Sequence, residues 1–266
     1  MKLQNLIIGF AAALVISVLS RKFKFLKLSG SIAQFFLAGL IFGLGGIKWT
    51  VPILTFFLTS SILSKLRIRK NKSVDNFFEK SDERDYLQVF ANGGLGGILV
   101  IISQFYRPEL LFAVYVSSLS AVCSDTWATE IGTLKQQMPV NILSFKRVEQ
   151  GTSGGISVMG TFSALMGAFI IPLSSLSWIS TNLFYFILCV TSAGFLGSLL
   201  DSILGASVQA QYKCNKCNKI TEKKSHCGKE TSLSRGFSWI NNDAVNFAAS
   251  LSGCFFFILF NVWLKV

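Results

Sequence analysis

Apolar residues in this chain fall in long blocks rather than in alternation, and each block is closed by a short cluster of polar or basic residues. The blocks run for roughly 17–22 residues, and about 18 apolar residues in a helix are enough to cross a hydrocarbon core of about 30 Å. Eight segments fit that template, at about 3–20, 29–47, 49–64, 86–105, 110–131, 155–176, 183–207 and 243–264, the third being the shortest. Nothing sustains the period-two pattern that a transmembrane barrel needs. The first block has the look of a signal peptide, but Val18-Leu19-Ser20 is a poor cleavage site and Arg21, Lys22, Lys24 and Lys27 follow it. It reads as a retained helix.

Composition agrees with this pattern. The 266 residues are 51% hydrophobic and only 14% charged, with a mean hydropathy of +0.54, which is too apolar for a domain dissolved in water. The expected fold is all-α: a polytopic transmembrane bundle of about eight spans forming a single domain over residues 1–266, with a small Cys/His loop at 210–240.

A net charge of +12 would ordinarily raise the question of nucleic acid. The position of the basic residues answers it. The segments after the first, third, fifth and seventh blocks carry four, seven, three and seven Lys/Arg, whereas only Lys2, Lys48, Arg107 and Lys265 fall in the other set. With 21 of 25 on one side, the positive-inside rule puts those four loops in the cytoplasm and both termini outside, in what reads as the cell (inner) membrane. The charge then sets orientation and contacts lipid headgroups, and nucleic acid is not an expected partner.

Ionisable residues inside membrane helices are costly and mark function. Here they gather at the cytoplasmic ends. The fifth block closes with Cys123-Ser124-Asp125-Thr126-Trp127-Ala128-Thr129-Glu130-Ile131-Gly132, and the seventh carries Asp201 between Gly197-Ser198 and Gly205-Ala206. Helical spacing puts Asp125 on one stripe with Ser117, Ala121, Ala128 and Gly132, and Asp201 with Gly194, Gly197, Ser198 and Gly205. Small-residue stripes let helices approach closely, so each carboxylate is expected to point into the bundle. A cap or an interhelical hydrogen bond is the plainer alternative for both. Asn92 near the start of the fourth block, and Asn242, Asp243 and Asn246 at the start of the eighth, join the same end, and Asp243 could equally be a helix cap.

Between the fifth and sixth blocks lies Lys146-Arg147-Val148-Glu149-Gln150-Gly151-Thr152-Ser153-Gly154-Gly155. A Gly/Ser/Thr-rich turn before a helix offers backbone N–H groups to a phosphate, with Lys146 and Arg147 as counter-charge. Gly-rich turns also open many membrane helices, and this one is not a Walker A pattern. Carboxylates fit to hold Mg²⁺, a phosphate-cradling turn and basic side chains together make a phosphoryl-transfer site, in which positioning and charge neutralisation do most of the catalysis.

The last cytoplasmic loop holds Cys214, Cys217, His226 and Cys227. Cys-x2-Cys is a common half-site for structural Zn²⁺, while the adjacent His226-Cys227 makes a strained second half. Cys123, Cys189 and Cys254 lie in apolar blocks and read as packing residues.

Several of these motifs occur together in one known family. The stretches DERDYLQVFANGG (Asp82 to Gly94), SDTWATEIG (Ser124 to Gly132), GTSGGISVMG (Gly151 to Gly160), GFLGSLLDSILGASVQ (Gly194 to Gln209) and WINNDAVNF (Trp239 to Phe247), with the Cys/His loop, resemble the integral membrane family that includes plant phytyl-phosphate kinase and animal transmembrane protein 19. That resemblance implies a kinase that converts an isoprenyl monophosphate to the diphosphate with a nucleoside triphosphate. More distantly, Ser124-Asp125-Thr126 followed by Lys146 and the Gly-rich turn is similar to CTP-dependent polyprenol kinases and CDP-diacylglycerol synthases, which implies CTP as donor.

The expected site therefore has Asp125 and Asp201 holding Mg²⁺ and the triphosphate. Lys146, Thr152, Ser153, Gly154 and Gly155 would cradle phosphates, and Asn92, Thr129, Glu130, Asn242, Asp243 and Asn246 would complete a polar shell facing the cytoplasm. The partners are a prenyl-phosphate lipid, CTP or ATP, and membrane lipid. A transporter or channel with a helix-embedded polar site is the main alternative, and a non-catalytic scaffold built on the Cys/His loop is a third.

Overall fold

A computed structural model describes residues 2–71, 77–79, 83–180 and 182–263, with the side chain of Lys2 undescribed. Lys72, Lys80, Asp82 and Lys265, counted above among the loop charges and motifs, lie outside the described residues.

The described residues form seven α-helices: α1 (Lys2–Lys22), α2 (Leu28–Lys70), α3 (Tyr86–Ile102), α4 (Pro108–Gly132), α5 (Val158–Leu173), α6 (Leu183–Ser207) and α7 (Asn242–Trp263). Six of them are long and apolar enough to cross a membrane, and α3 is a shorter apolar helix. Continuous α2 would be about 65 Å long, twice the thickness of a hydrocarbon core. It is instead broken at Gly46, whose φ of 65° and ψ of −161° suit a residue without Cβ. The two limbs, 28–45 and 47–70, fold back on each other. The Phe25 ring, just before the first limb, meets Phe57 of the second at 6.0 Å, and the Lys65 ammonium stands 4.5 Å over that same ring. Each apolar block read from the sequence thus corresponds to a helix or a helical limb.

α4 is the axis of the bundle. Ser117, Ser118, Leu119, Ser120, Ala121 and Ser124 are almost wholly buried, and small residues from three other helices close on them. A Cβ added at Gly194 of α6 would fall 2.0 Å from the Ser120 hydroxyl, and one at Gly253 of α7 would fall 2.6 Å from the Ser117 carbonyl. The serines turn their hydroxyls to neighbouring backbones, with Ser120 donating to Ala168 O at 2.8 Å and Ser124 to Ala164 O at 2.8 Å. Away from water such contacts replace the hydrophobic drive that holds soluble bundles together. At the far end the Trp49 ring stacks on Tyr115 and meets Phe112 edge to face, with Tyr115 donating to Trp49 O at 2.6 Å. Lys48 pairs there with Glu109 at 2.9 Å.

The all-α expectation needs correcting. Helix accounts for 68% of the described residues, and two small antiparallel sheets sit at the other end of the bundle. β1 (Val140–Asn141) pairs with β2 (Gly155–Ile156). The Cys/His loop forms a four-stranded sheet of β3 (Gln211–Cys214), β4 (Ile220–Thr221), β5 (Ser225–His226) and β6 (Lys229–Arg235), in the order β4-β3-β6-β5. Three of these four strands have four residues or fewer, too short to set up an alternation visible in the sequence.

Candidate functional site

The C-terminal ends of α4 and α6 and the N-terminal ends of α3 and α7 enclose a polar cleft of about 240 Å³. The packing of α6 on α4 through their small-residue stripes brings Asp201, nearly buried, into direct interaction with Asp125. Asp201 Oδ2 and, on α3, Asn92 Oδ1 are buried without a hydrogen-bond partner among the described residues. Two facing carboxyls with an unsatisfied oxygen, beside a further orphaned carbonyl oxygen, form a set of hard donors suited to a divalent cation such as Mg²⁺. Asn242, Asp243 and Asn246 of α7 line the same cleft. Asn241 caps α7, its Oδ1 accepting from Ala244 N at 3.1 Å, and Asp243 lies on the cleft wall.

Thr129 and Glu130 also line the cleft, as do Thr152, Ser153, Gly154 and Gly155. Lys146, expected beside the Gly-rich turn, stands apart: its side chain is exposed and is not on the cleft wall. The cause is local, because Phe145 adopts a left-handed φ of 54° in the turn closed by Asn141 N donating to Lys146 O at 2.9 Å. Arg147 is exposed as well. The basic groups at the cleft are Arg67 and Arg84 instead. Arg67 Nε meets Glu130 Oε2 at 2.9 Å, and Ser64 donates to the other oxygen of Glu130 at 2.5 Å. Burial lowers the pKa of Arg84, with Glu130 opposing the shift, so an anion in the cleft would find an incompletely solvated cation.

The Gly-rich turn does not run straight into α5. Gly155 and Ile156 form β2, and the helix starts only after Ser157, whose hydroxyl accepts from Gly160 N at 3.1 Å. Gly154 adopts a φ of +79°, and a Cβ there would lie 2.4 Å from Ala206 Cβ. Gly154→Ala is therefore expected to cost about 1–3 kcal/mol from the backbone alone, plus the clash. A lowered thermal midpoint of the detergent-purified protein would show it, and an unchanged midpoint would mean the turn sits elsewhere.

Glu222, which follows β4, ties this turn to the sheet. Its Oε1 accepts from Ser153 Oγ at 2.7 Å and Gln209 Nε2 at 2.8 Å, and its N–H donates to Phe77 O at 2.9 Å. Burial pushes its pKa from 4.5 to about 7; the charge of Glu79 adds to the rise, and hydrogen bonds from Ser153, Glu79 and Gln209 oppose it. A folded value above the unfolded one means a contribution complete below about 4.5 and lost as pH rises through about 7. Thermal stability is expected to fall across that window in the wild type, and Glu222→Gln should flatten the profile. An identical profile in both proteins would exclude the role. Sequence reading missed Glu222, Arg67 and Arg84. The available signal for Glu222 was that it and Glu230 are the only acids in a loop otherwise rich in lysine.

The sulfurs of Cys214, Cys217 and Cys227 and a ring nitrogen of His226 lie within 4.8 Å of one another at the sheet's outer edge. Cys123, Cys189 and Cys254 are buried in helices as free thiols.

A family model, "Integral membrane protein DUF92", matches residues 11–254. The chain is 31% identical to Protein PGR of Arabidopsis thaliana over 98% of its own length and 97% of the relative's. It is 32% identical to the membrane protein MJ0933 of Methanocaldococcus jannaschii over 77% and 84%. With the chloroplastic Protein VTE6 of Arabidopsis thaliana the identity is 24% over 83% of this chain and 61% of the relative. No solved structure matches the fold.

Proposed function

The chain belongs to the DUF92 family of integral membrane proteins, and from that premise we propose that it is a membrane-embedded kinase that transfers the γ-phosphoryl group of CTP or ATP to an isoprenyl monophosphate. The observation that carries the reading is the meeting of Asp125 and Asp201, from separate helices, opposite the Gly-rich turn in one cleft. The kinship with plant phytyl-phosphate kinase points to the acceptor class.

In the proposed reaction a terminal phosphate oxygen of the lipid attacks the γ-phosphorus. The bond between that phosphorus and the β–γ bridging oxygen breaks, and the nucleoside diphosphate leaves with the electron pair. The acceptor is already an anion at neutral pH, so no strong base is required; the barrier lies in bringing two anions together. Asp125 and Asp201, with Asn92 Oδ1, would hold Mg²⁺, which on binding neutralises and orients the triphosphate. Thr152, Ser153, Gly154 and Gly155 would bind phosphate oxygens through N–H and O–H groups, and Arg84 would receive the acceptor phosphate. A small apolar cavity of about 60 Å³ adjoins the cleft between α3 and the two limbs of α2, sharing Arg84, Gln88 and Asn92 with it. The start of the prenyl tail would lie there.

The proposed topology has eight crossings, both limbs of α2 and α3 included, with both termini outside and the cleft facing the cytoplasm of a cell membrane, where nucleotides are found. The distribution of Lys and Arg supports it.

A transporter would hold its polar site near the bilayer midplane, whereas Asp125 and Asp201 lie within about two turns of the C-terminal ends of α4 and α6. The discriminating experiment uses protein in detergent, where there are no compartments. Release of nucleoside diphosphate that depends on added prenyl monophosphate is expected of a kinase. A protein that leaves the nucleotide intact with every prenyl phosphate offered would not be one.

A further inference from the structure

The four soft donors of the Cys/His sheet play no part in the cleft chemistry, yet they are held together by two separate turns. Cys214 ends β3 and Cys217 follows in a turn in which Asn218 takes a left-handed φ of 59° and donates its N–H to Cys214 O at 2.9 Å. The N–H groups of Lys216 and Cys217 point at the Cys214 sulfur. His226 ends β5 and Cys227 opens the opposite turn, into β6, with φ of 54° at Cys227 and 72° at Gly228. The His226 Nδ1 is 3.5 Å from Cys217 Sγ and 3.2 Å from Cys227 Sγ. A tetrahedral ion bound at about 2.3 Å to sulfur and about 2.0–2.1 Å to nitrogen separates its ligands by roughly 3.5–3.8 Å, and the four donor atoms here, all within 4.8 Å of one another, need move only by about an ångström to close on one. A disulfide would join only two of the sulfurs and leave the imidazole idle.

We infer that Cys214, Cys217, His226 and Cys227 bind one structural Zn²⁺, and that the ion braces the Gly-rich turn of the cleft through Glu222. A sheet of such short strands has little core of its own, so a closed four-ligand site would supply the folding free energy it lacks. The mechanical path is short: the Cys214–Cys217 turn is the β3–β4 hairpin, β4 leads directly into Glu222, and Glu222 receives the Ser153 hydroxyl.

Metal analysis of the detergent-purified full-length protein, kept reduced, should find one zinc per chain. Replacement by Co²⁺ should give the visible bands of tetrahedral thiolate coordination. C214S/C217S should lose the metal, whereas C189S/C254S should keep it. Chelation should speed backbone hydrogen exchange in β3 to β6 and also in residues 151–155. Protein that contains no zinc and refuses Zn²⁺ and Co²⁺ in titration would overturn the site, as would full zinc retention in folded C214S/C217S. If C214S/C217S fails to fold, stoichiometry and the cobalt spectrum of the unsubstituted chain still decide. Loosening of the sheet alone, with residues 151–155 unchanged, would overturn the bracing.

Discussion

Asp125→Asn is expected to leave the helical bundle assembled and to remove phosphoryl transfer. The substitution keeps the shape of the side chain, so the packing of α4 against α6 survives. Asp125 directly neighbours Asp201, and an amide in place of one of two adjacent buried carboxyls lowers the negative charge the bundle has to enclose. Thermal stability without nucleotide should therefore be unchanged or slightly higher. The kinetic effect is opposite in kind. Losing one pre-organised hydrogen-bond donor costs enzymes about 10²–10³ in kcat, and a carboxylate that holds the triphosphate's counter-ion should cost at least about 10³. Asp201→Asn should behave alike. The readout is turnover measured beside a melting curve. A folded Asp125→Asn protein with normal turnover would remove the acid pair from the mechanism.

The second large effect concerns stability. Arg67→Met should destabilise the protein by about 3–5 kcal/mol, because it leaves Glu130 nearly buried with its charge uncompensated. Ser64 continues to donate to Glu130, but a hydroxyl cannot balance a full charge. R67M/E130Q should recover most of that loss, since removing both charges avoids the desolvation cost. The coupling shows in a double-mutant cycle of unfolding midpoints. Additive losses would mean that the pair is solvated and the cleft wall more open than it is here.

The helices were legible because lipid imposes a length on them. Each apolar block between 3–20 and 243–264 became a helix or limb, and the break that makes α2 a hairpin falls at Gly46, between the second and third blocks. The small-residue stripes around Asp125 and Asp201 were legible for a related reason: at a spacing of three or four residues they can serve only a close helix contact, and Gly194 and Gly253 meet α4 there. What stayed hidden depends on contacts between segments far apart in the chain. Arg67 and Arg84 belong to a basic run that orientation in the membrane explains fully, and only the fold of the α2 hairpin takes them to the cleft. Lys146 was favoured by its nearness to the Gly-rich turn in sequence, and a single left-handed residue, Phe145, lies in the tight turn that leaves it outside. Glu222 was lost in a loop read for its cysteines, whose strands are too brief to announce a sheet.

Phosphoryl transfer within the cleft is tested most directly by the fate of the γ-phosphate. Purified protein would be incubated with geranylgeranyl phosphate, Mg²⁺ and CTP or ATP carrying an isotopically heavy γ-phosphate, and the lipid products resolved by mass. The prediction is a prenyl diphosphate with the heavy label in its terminal phosphate, formed with the unsubstituted chain and absent with Asp125→Asn or Asp201→Asn. Geranylgeranyl phosphate recovered unchanged from both nucleotides, or a labelled diphosphate formed equally well by the two aspartate variants, would contradict it.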